Sequence, residues 1–201
     1  MSGVSHRFYR FIIRPLRFLL GFAHPRLRVK GRENIPEGAC VLCANHASLT
    51  DPIWIVLAGK FPHVPRTMAK KELIDTPVIG KLVTMLGAFP VNRGTADLNA
   101  VKTAMRVLKE GEKLQIFPEG TRIRKGKKSE PHTGAVMIAT RMNAPVVPVY
   151  ITAKKRFLHP IDVVFGEPYF PEHSAPRATQ QELEDLTAEL MAKIYQMGED
   201  L

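Results

Sequence analysis

Residues 39–58 read ACVLCANHASLTDPIWIVLA, and the predicted architecture is built around them. A six-residue apolar run precedes Asn45 and His46, and a second apolar run follows Pro52. Because proline is accepted in the first turn of a helix, the stretch predicts a β-strand, a tight turn and a helix that begins near Asp51. Such a turn leaves its side chains at the carboxyl edge of a sheet, where α/β folds place their chemistry.

His46 and Asp51 are candidates for proton transfer at that turn. Histidine titrates near neutral pH and accepts a proton from a hydroxyl group. A carboxylate on its other ring nitrogen fixes the tautomer and stabilises the imidazolium. Asp51 also suits the N-cap of the helix, so both interpretations of this residue stay open.

Length and charge limit the class of protein. The 201 residues are 45% hydrophobic and 24% charged, which is typical of a single globular domain with a sizeable core. The net charge of +10 favours an anionic partner, and phosphate, a phospholipid surface and nucleic acid all fit that sign.

The two cysteines form a C-x2-C-x2-H pattern with His46. A zinc site is the alternative that this pattern raises, but no second cluster of metal-ligand residues accompanies it. Cys40 and Cys43 point to opposite faces of the predicted strand because their spacing is odd, so we expect buried free thiols in a reducing cytoplasm. No metal is expected.

Residues 1–24 are predicted to be an amphipathic membrane-associating segment. In RFYRFIIRPLRFLLGFA (residues 7–23) the arginines recur every three or four residues, which places them in one stripe of a helix among aromatic and aliphatic side chains. The charges argue against a spanning helix, and Pro15 predicts a kink or two short helices. We expect a peripheral protein on the cytoplasmic face of the plasma membrane; a helix packed on its own domain is the alternative.

Residues 25–201 are predicted to form the α/β core, a mostly parallel sheet covered by helices, because strand and helix patterns alternate. The predicted strands are Leu27–Lys30, Ala39–Ala44, Arg66–Ala69, Ala88–Val91, Leu114–Phe117, Val146–Ile151 and Ile161–Phe165. The predicted helices begin near Asp51, Val78, Thr95 or Asp97, Thr133 and Thr179.

Polar side chains follow three further strands. Lys70, Arg93, Glu119 and Arg122 each come directly after a predicted strand, so they are expected at the same sheet edge as His46, unless they are simply solvated turn residues. A base beside cations suggests proton abstraction from a substrate that carries phosphate. No nucleophile motif is present, which favours direct attack by a substrate hydroxyl. The basic run at 124–128 has no interleaved aromatic residues, so nucleic acid is not an expected partner.

Four blocks resemble the glycerolipid acyltransferase family, in family order over about residues 27–170. Asn45–Asp51 resembles the NHx4D motif, Gly87–Arg93 the second block, Phe117–Arg122 the FPEGTR block and Ala144–Val149 the fourth. Ala69–Leu73 resembles a lysine-containing segment of the branch that acylates lysophosphatidic acid. Asn92 stands where the family often has aspartate.

The resemblance implies that His46 is the general base on the sn-2 hydroxyl of lysophosphatidic acid and that Asp51 orients it. The acyl donor would be acyl-CoA or acyl carrier protein, without an acyl-enzyme, metal or other cofactor. The implied phosphate-site residues are Lys70, Arg93, Glu119, Gly120, Thr121 and Arg122. Glu119 is expected to position an arginine or a glycerol hydroxyl, Pro148 to shape the acyl side of the cleft, and Asn45 or turn amides to serve as oxyanion donors.

Three other functions remain open on the sequence. The same chemistry on glycerol-3-phosphate or another lysophospholipid is the nearest. A non-catalytic protein that binds anionic membranes explains the charge but gives His46 and Asp51 no role. A lipid hydrolase lacks its nucleophile.

Overall fold

The computed structural model describes residues 6–92, 97–122, 130–174 and 176–201, with side chains described for all of these except 6–10, 19 and 23. Its strands are β1 (Leu27–Lys30), β2 (Val41–Ala44), β3 (Arg66–Lys70), β4 (Ala88–Val91), β5 (Leu114–Ile116), β6 (Val146–Ile151) and β7 (Ile161–Phe165). Its helices are α1 (His6–Ala23), α2 (Asp51–Gly59), α3 (Lys71–Ile74), α4 (Ile79–Met85), α5 (Leu98–Lys109), α6 (Gly134–Met142) and α7 (Gln180–Glu199), with a short 3-10 turn at Arg32–Asn34.

The strands form one seven-stranded sheet in the order β1-β7-β6-β2-β5-β3-β4. The five strands from β6 to β4 run parallel, β7 is antiparallel to β6, and β1 is parallel to β7. The prediction of a mostly parallel sheet with helices is therefore confirmed. The carboxyl ends of the parallel strands share one edge, and the polar residues described at or after the ends of β2, β3 and β5, which are His46, Lys70 and Arg122, line one cavity there.

The central strand β2 is buried on both faces. Val41 and Cys43 pack with α5, α6 and α7, whereas Cys40 and Leu42 pack on the other face with α2 and β7. The two cysteines are buried free thiols on opposite faces, as their spacing predicts. Burial raises the pKa of Cys40 to about 11 and raises the pKa of Cys43 further, so both remain protonated at neutral pH.

Helix α1 is one continuous helix that includes Pro15, so the prediction of two short helices is wrong. Its Ile13 and Leu20 pack against the core, while Phe11, Phe18 and Phe22 are at least three-quarters exposed. Proline at this position costs one backbone hydrogen bond, which packing on the inner face offsets. Among the described residues, none of the helices has the length and apolar character needed to cross a bilayer.

Two helix ends follow their sequence signals closely. The carboxylate of Asp97 caps α5 by accepting a hydrogen bond from the Ala100 N–H at 3.0 Å. Thr179 caps α7, where its hydroxyl accepts from the Glu182 N–H and the Glu182 carboxylate accepts from the Thr179 N–H in a capping box. Helix α7 extends beyond the predicted end at Tyr195, as far as Glu199, and the hydroxyl of Tyr195 donates a hydrogen bond to Glu119 at the sheet edge.

Candidate active site

The turn between β2 and α2 holds His46 and Asp51 together. The Nδ1 atom of His46 lies 3.0 Å from Oδ2 of Asp51. The same oxygen accepts hydrogen bonds from the N–H groups of Ala47 at 2.7 Å and Ser48 at 2.6 Å. Asp51 is the first residue of α2, and Thr50 stands at the N-cap position without a side-chain cap. The interpretation of Asp51 as an N-cap is therefore wrong: its carboxylate binds the turn before the helix.

This geometry fixes which nitrogen of His46 accepts a proton. A carboxylate only accepts hydrogen bonds, so the contact with Asp51 places the imidazole proton on Nδ1. Nε2 is then the free acceptor, and His46 lines the large cavity beside the turn. The ring of Phe117 packs on the imidazole with centroids 4.3 Å apart and limits its rotation. The pair therefore has the arrangement of a general base and its orienting carboxylate.

Asp51 is fully buried yet ionised. Burial by itself raises the pKa of its carboxyl group, but the hydrogen bond from His46 and the charge of Lys155 outweigh burial, and the pKa is lowered. The ammonium group of Lys155 contacts Oδ1 of Asp51, the oxygen that His46 leaves free. Lys155 is not among the predicted site residues, because nothing in the sequence distinguishes it from the exposed Lys154 beside it.

Glu119 lies beneath the turn and is 1% exposed. Its Oε2 accepts a hydrogen bond from the His46 backbone N–H at 2.8 Å, and its Oε1 accepts one from the hydroxyl of Tyr195. Burial raises the pKa of Glu119, while the bonds from Tyr195 and His46 oppose that rise. The sequence suggested that this carboxylate positions an arginine or a glycerol hydroxyl, whereas these contacts direct it to the His46 turn.

The FPEGTR segment bends sharply at Gly120, where φ is +64°. A Cβ atom there would lie 2.4 Å from Cδ2 of His132, so both conformation and space favour glycine. Gly120 and Arg122 line the same cavity as His46. Thr121 is exposed and does not belong to that lining; its N–H donates to the carbonyl of Glu119 at 2.6 Å.

The remaining predicted cations differ in what the structure describes. Lys70 ends β3 and lines the cavity, where its ammonium group pairs with Glu72 at 3.0 Å and remains about half exposed (48%). Arg93 and the basic run at 124–128 lie outside the described residues. Asn92 donates from its side-chain amide to Asp97 at 3.0 Å, a contact that an aspartate could not make as a donor.

The cavity has a volume of about 420 Å³ and mostly apolar walls. Its lining residues include Ile12, Ile13 and Leu16 of α1, together with Ile53 and Val56 of α2. Its polar side chains include the His46 imidazole, Lys70 and Arg122. The arrangement joins a base, two cations and an apolar chamber, which suits a ligand with an ionic head and a hydrocarbon tail.

Two predicted roles do not fit this cavity. Pro148 is buried in β6 and borders a different depression near Gly166 and Met197, so it does not line the cavity beside His46, and its role on the acyl side stays a prediction. Asn45 is 2% exposed, and its amide exchanges two hydrogen bonds with the backbone of Ile151, at 2.9 and 2.8 Å. Asn45 thus joins β2 to β6, and the turn amides of His46, Ala47 and Ser48 already donate to the carboxylates of Glu119 and Asp51, so neither candidate set is free to bind an oxyanion in this structure.

Comparison with known proteins identifies the family that this chain resembles. A family model described as Acyltransferase matches residues 26–152. The 1-acyl-sn-glycerol-3-phosphate acyltransferase of Bacillus subtilis is 30% identical over 199 residues, which cover 96% of this chain and 98% of the relative. The protein of the same name from Pseudomonas aeruginosa is 30% identical over 205 residues, covering 95% of this chain and 77% of the relative.

A solved structure shares the fold. The crystal structure of PlsC from Thermotoga maritima, described as a 1-acyl-sn-glycerophosphate (LPA) acyltransferase, superposes with a TM-score of 0.68 at 25% identity. The match covers 94% of this chain and 80% of that one. Because the family model spans more than half of the chain and the Bacillus relative matches nearly all of it, this chain belongs to the acyltransferase family.

Proposed function

We propose that this acyltransferase moves a fatty acyl group from an acyl thioester to the sn-2 hydroxyl of 1-acyl-glycerol-3-phosphate and so forms phosphatidic acid. The names of the relatives from Bacillus subtilis and Pseudomonas aeruginosa support this acceptor. The observation that carries the mechanism is the His46–Asp51 pair at an apolar cavity that Lys70 and Arg122 also line. The product enters phospholipid biosynthesis.

His46 acts as the general base. Its Nε2 takes the proton of the sn-2 hydroxyl while the oxygen attacks the thioester carbonyl. Asp51 stabilises the imidazolium that forms. The tetrahedral intermediate collapses with loss of the thiolate, which receives the proton from His46, so an ester and a free thiol are the products. The reaction needs no acyl-enzyme, metal or cofactor besides the thioester of CoA or acyl carrier protein.

The cations of the cavity bind the ionic head of the substrate, and its apolar walls bind the hydrocarbon tail. Arg122 and Lys70 bind the phosphate, since guanidinium and ammonium groups are the common partners of phosphate oxygens. Arg93, Gly120 and Thr121 complete the phosphate site in this proposal. The apolar walls contributed by α1, α2 and α4 take a hydrocarbon chain.

Helix α1 places the enzyme on the membrane that holds its substrate. Its outer face presents Phe11, Phe18 and Phe22 beside the exposed Arg14 and Arg17. Aromatic side chains at the acyl boundary and guanidinium groups on lipid phosphates stabilise an interfacial helix. We place the protein at the cytoplasmic face of an anionic membrane.

The experiment supplies oleoyl-CoA and lysophosphatidic acid and measures phosphatidic acid together with free thiol. We expect turnover by the wild type and a loss of about 10²–10⁴-fold in kcat for His46→Ala. His173→Ala, at an exposed histidine outside the cavity, is the matched control and should retain activity. Undiminished turnover by His46→Ala would refute the mechanism.

The same assay separates the other functions. Glycerol-3-phosphate and lysophospholipids without a free phosphate replace the acceptor in parallel reactions, and a higher kcat/KM with any of these would replace the proposed acceptor. A non-catalytic membrane-binding protein would bind anionic vesicles without releasing thiol. A hydrolase would release thiol without forming phosphatidic acid.

A further inference from the structure

The side chain of Lys155 reaches into the interior of the site, although the residue itself lies in a surface loop. The side chain is 8% exposed, and its ammonium group contacts both Oδ1 of Asp51 and the carbonyl oxygen of Thr152, the latter at 2.7 Å. Burial of a lysine is costly unless its charge is paired and its protons are bonded, and here a fully buried carboxylate supplies the pair. The ion pair between Lys155 and Asp51 is therefore a defined buried contact and not an incidental one at the surface.

The loop that carries Lys155 is fixed at its base. The Thr152 N–H donates to the Asp162 carbonyl at 3.0 Å, and the Asp162 N–H donates to the Thr152 hydroxyl at 2.8 Å. Thr152 in turn accepts from Lys155, so the ammonium group has a rigid backbone acceptor on one side and Asp51 on the other. This anchoring sets the position of the charge relative to the His46–Asp51 pair.

We propose that Lys155 is a positioning residue of this active site, whose ammonium group neutralises one oxygen of Asp51 and thereby limits how strongly that carboxylate holds a proton on the His46 ring. The inference rests on the proposed role of His46 as general base. His46 and Lys155 bind different oxygens of one carboxylate. Because both groups bind one carboxylate, the positive charge of Lys155 makes it less favourable for the His46 ring to become the positively charged imidazolium.

Three other charged groups face His46 among the described residues, and none of them contacts Lys155 in the hydrogen bonds and ion pairs of the structure. Glu119, from the segment after β5, accepts from the His46 N–H and is itself bonded by Tyr195 of α7. Lys70 of β3 and Arg122 are exposed cations that line the same cavity. Removal of the Lys155 charge leaves one buried carboxylate less neutralised, so the His46–Asp51 pair must bind its titrating proton more tightly.

The test measures the titration of the His46 ring by NMR in the full-length, isotopically labelled protein, with the resonance assigned by its loss in His46→Ala. Lys155→Met should move this titration upward by about one pH unit or more, as expected for a unit charge a few ångströms away. The acid limb of kcat/KM should move by the same amount, so activity falls about tenfold per unit on that limb and recovers at higher pH.

Three further variants separate charge from shape. Lys155→Gln keeps a hydrogen-bond donor without the charge and should shift like Lys155→Met; it also carries the test if the methionine variant does not fold. Lys155→Arg keeps the charge and should titrate within a few tenths of a pH unit of the wild type. Lys154→Met removes the exposed neighbouring lysine and should leave the titration unchanged.

The outcomes distinguish this inference from the proposed function. An unmoved titration in Lys155→Gln, or an equal shift in Lys154→Met, overturns the inference whatever the activity. An upward shift in Lys155→Arg equal to that in Lys155→Gln also overturns it, because charge is then not the cause. Full turnover by His46→Ala overturns the proposed function, while the shift of the His46 titration still supports the electrostatic link.

Discussion

The backbone N–H of His46 donates a hydrogen bond to Oε2 of Glu119 at 2.8 Å, across 73 residues of sequence. The hydroxyl of Tyr195 on α7 binds the other carboxylate oxygen. The FPEGTR segment therefore holds the turn that carries His46, in addition to supplying Arg122 to the cavity. The buried carboxylate of Glu119 therefore has a structural role in holding the His46 turn, a role that contact with a substrate phosphate would not explain.

Glu119→Ala should lower kcat more than it raises the KM for lysophosphatidic acid. The change removes the acceptor of the His46 N–H and of the Tyr195 hydroxyl, and a hydrogen bond to a charged group contributes about 1.5–3 kcal/mol. Tyr195 is exposed and can donate to water instead, so the loss falls mainly on the His46 N–H. Looser positioning of His46 should reduce kcat by about 10²-fold. Steady-state kinetics with each substrate varied, together with thermal unfolding, measure both effects.

Glu119→Gln is the matched control, because its carbonyl oxygen still accepts from His46 and its amide can bond the Tyr195 oxygen. We expect kcat within about tenfold of the wild type, in line with one weakened hydrogen bond. If both variants instead raise the KM for lysophosphatidic acid at unchanged kcat, Glu119 binds the acceptor as the sequence suggested.

Arg122→Ala and Lys70→Ala should raise the KM for lysophosphatidic acid by about 10-fold or more, because hydrogen bonds to charged groups contribute about 1.5–3 kcal/mol each. The KM for the acyl thioester should change little. Lys71→Ala is the control, since Lys71 pairs with Asp75 at 2.8 Å and does not line the cavity. A larger effect on the thioester KM would place the donor at these cations.

The elements of this fold were predictable because local patterns determine them. The strands β6 and β7 match their predicted bounds, and Asp97 caps α5 as its position suggested. Burial on both faces produces continuous apolar strands, and cap residues act within four positions in sequence. The family blocks likewise reported which segments meet at the sheet edge.

The contacts that complete the site were not predictable from local sequence. Lys155 reaches Asp51 over 104 positions, and Tyr195 reaches Glu119 over 76. Neither residue differs in local pattern from solvated neighbours on the same loop or helix, and only the packing of β6 and α7 reveals the partners. The depression that Pro148 borders was equally hidden, because the face that a strand residue occupies depends on register.

The acid stability of the protein should depend on Glu182 in the α7 capping box. Backbone hydrogen bonds from Thr179 and Ser174 lower the pKa of this carboxyl group from 4.5 to about 2. A lowered folded-state pKa stabilises the fold above pH 4.5, and this contribution is lost as the pH falls towards 2. The Tm of Glu182→Gln should therefore lie below that of the wild type at pH 6 and converge with it near pH 2. A difference in Tm that is constant over this range would contradict the assignment.

The outer face of α1 should bind anionic membranes independently of its inner face. Deletion of the segment would test neither face cleanly, because Ile12 and Leu16 line the cavity while Phe11, Phe18 and Phe22 are exposed. We therefore replace only the three phenylalanines by serine. Each loses apolar burial worth up to about 1.5–3 kcal/mol in the bilayer, so partition into phosphatidylglycerol vesicles should fall at least about tenfold.

Activity on a short-chain, water-soluble acceptor should persist in this triple variant, since the cavity is intact. The matched control replaces three apolar residues that are exposed elsewhere, Leu98, Phe170 and Leu201, by serine and should bind vesicles like the wild type. Vesicle sedimentation with anionic and with neutral lipid measures both the apolar and the charge dependence. If the α1 variant binds as the wild type does, the membrane contacts another surface, and the exposed phenylalanines of α1 need a different partner.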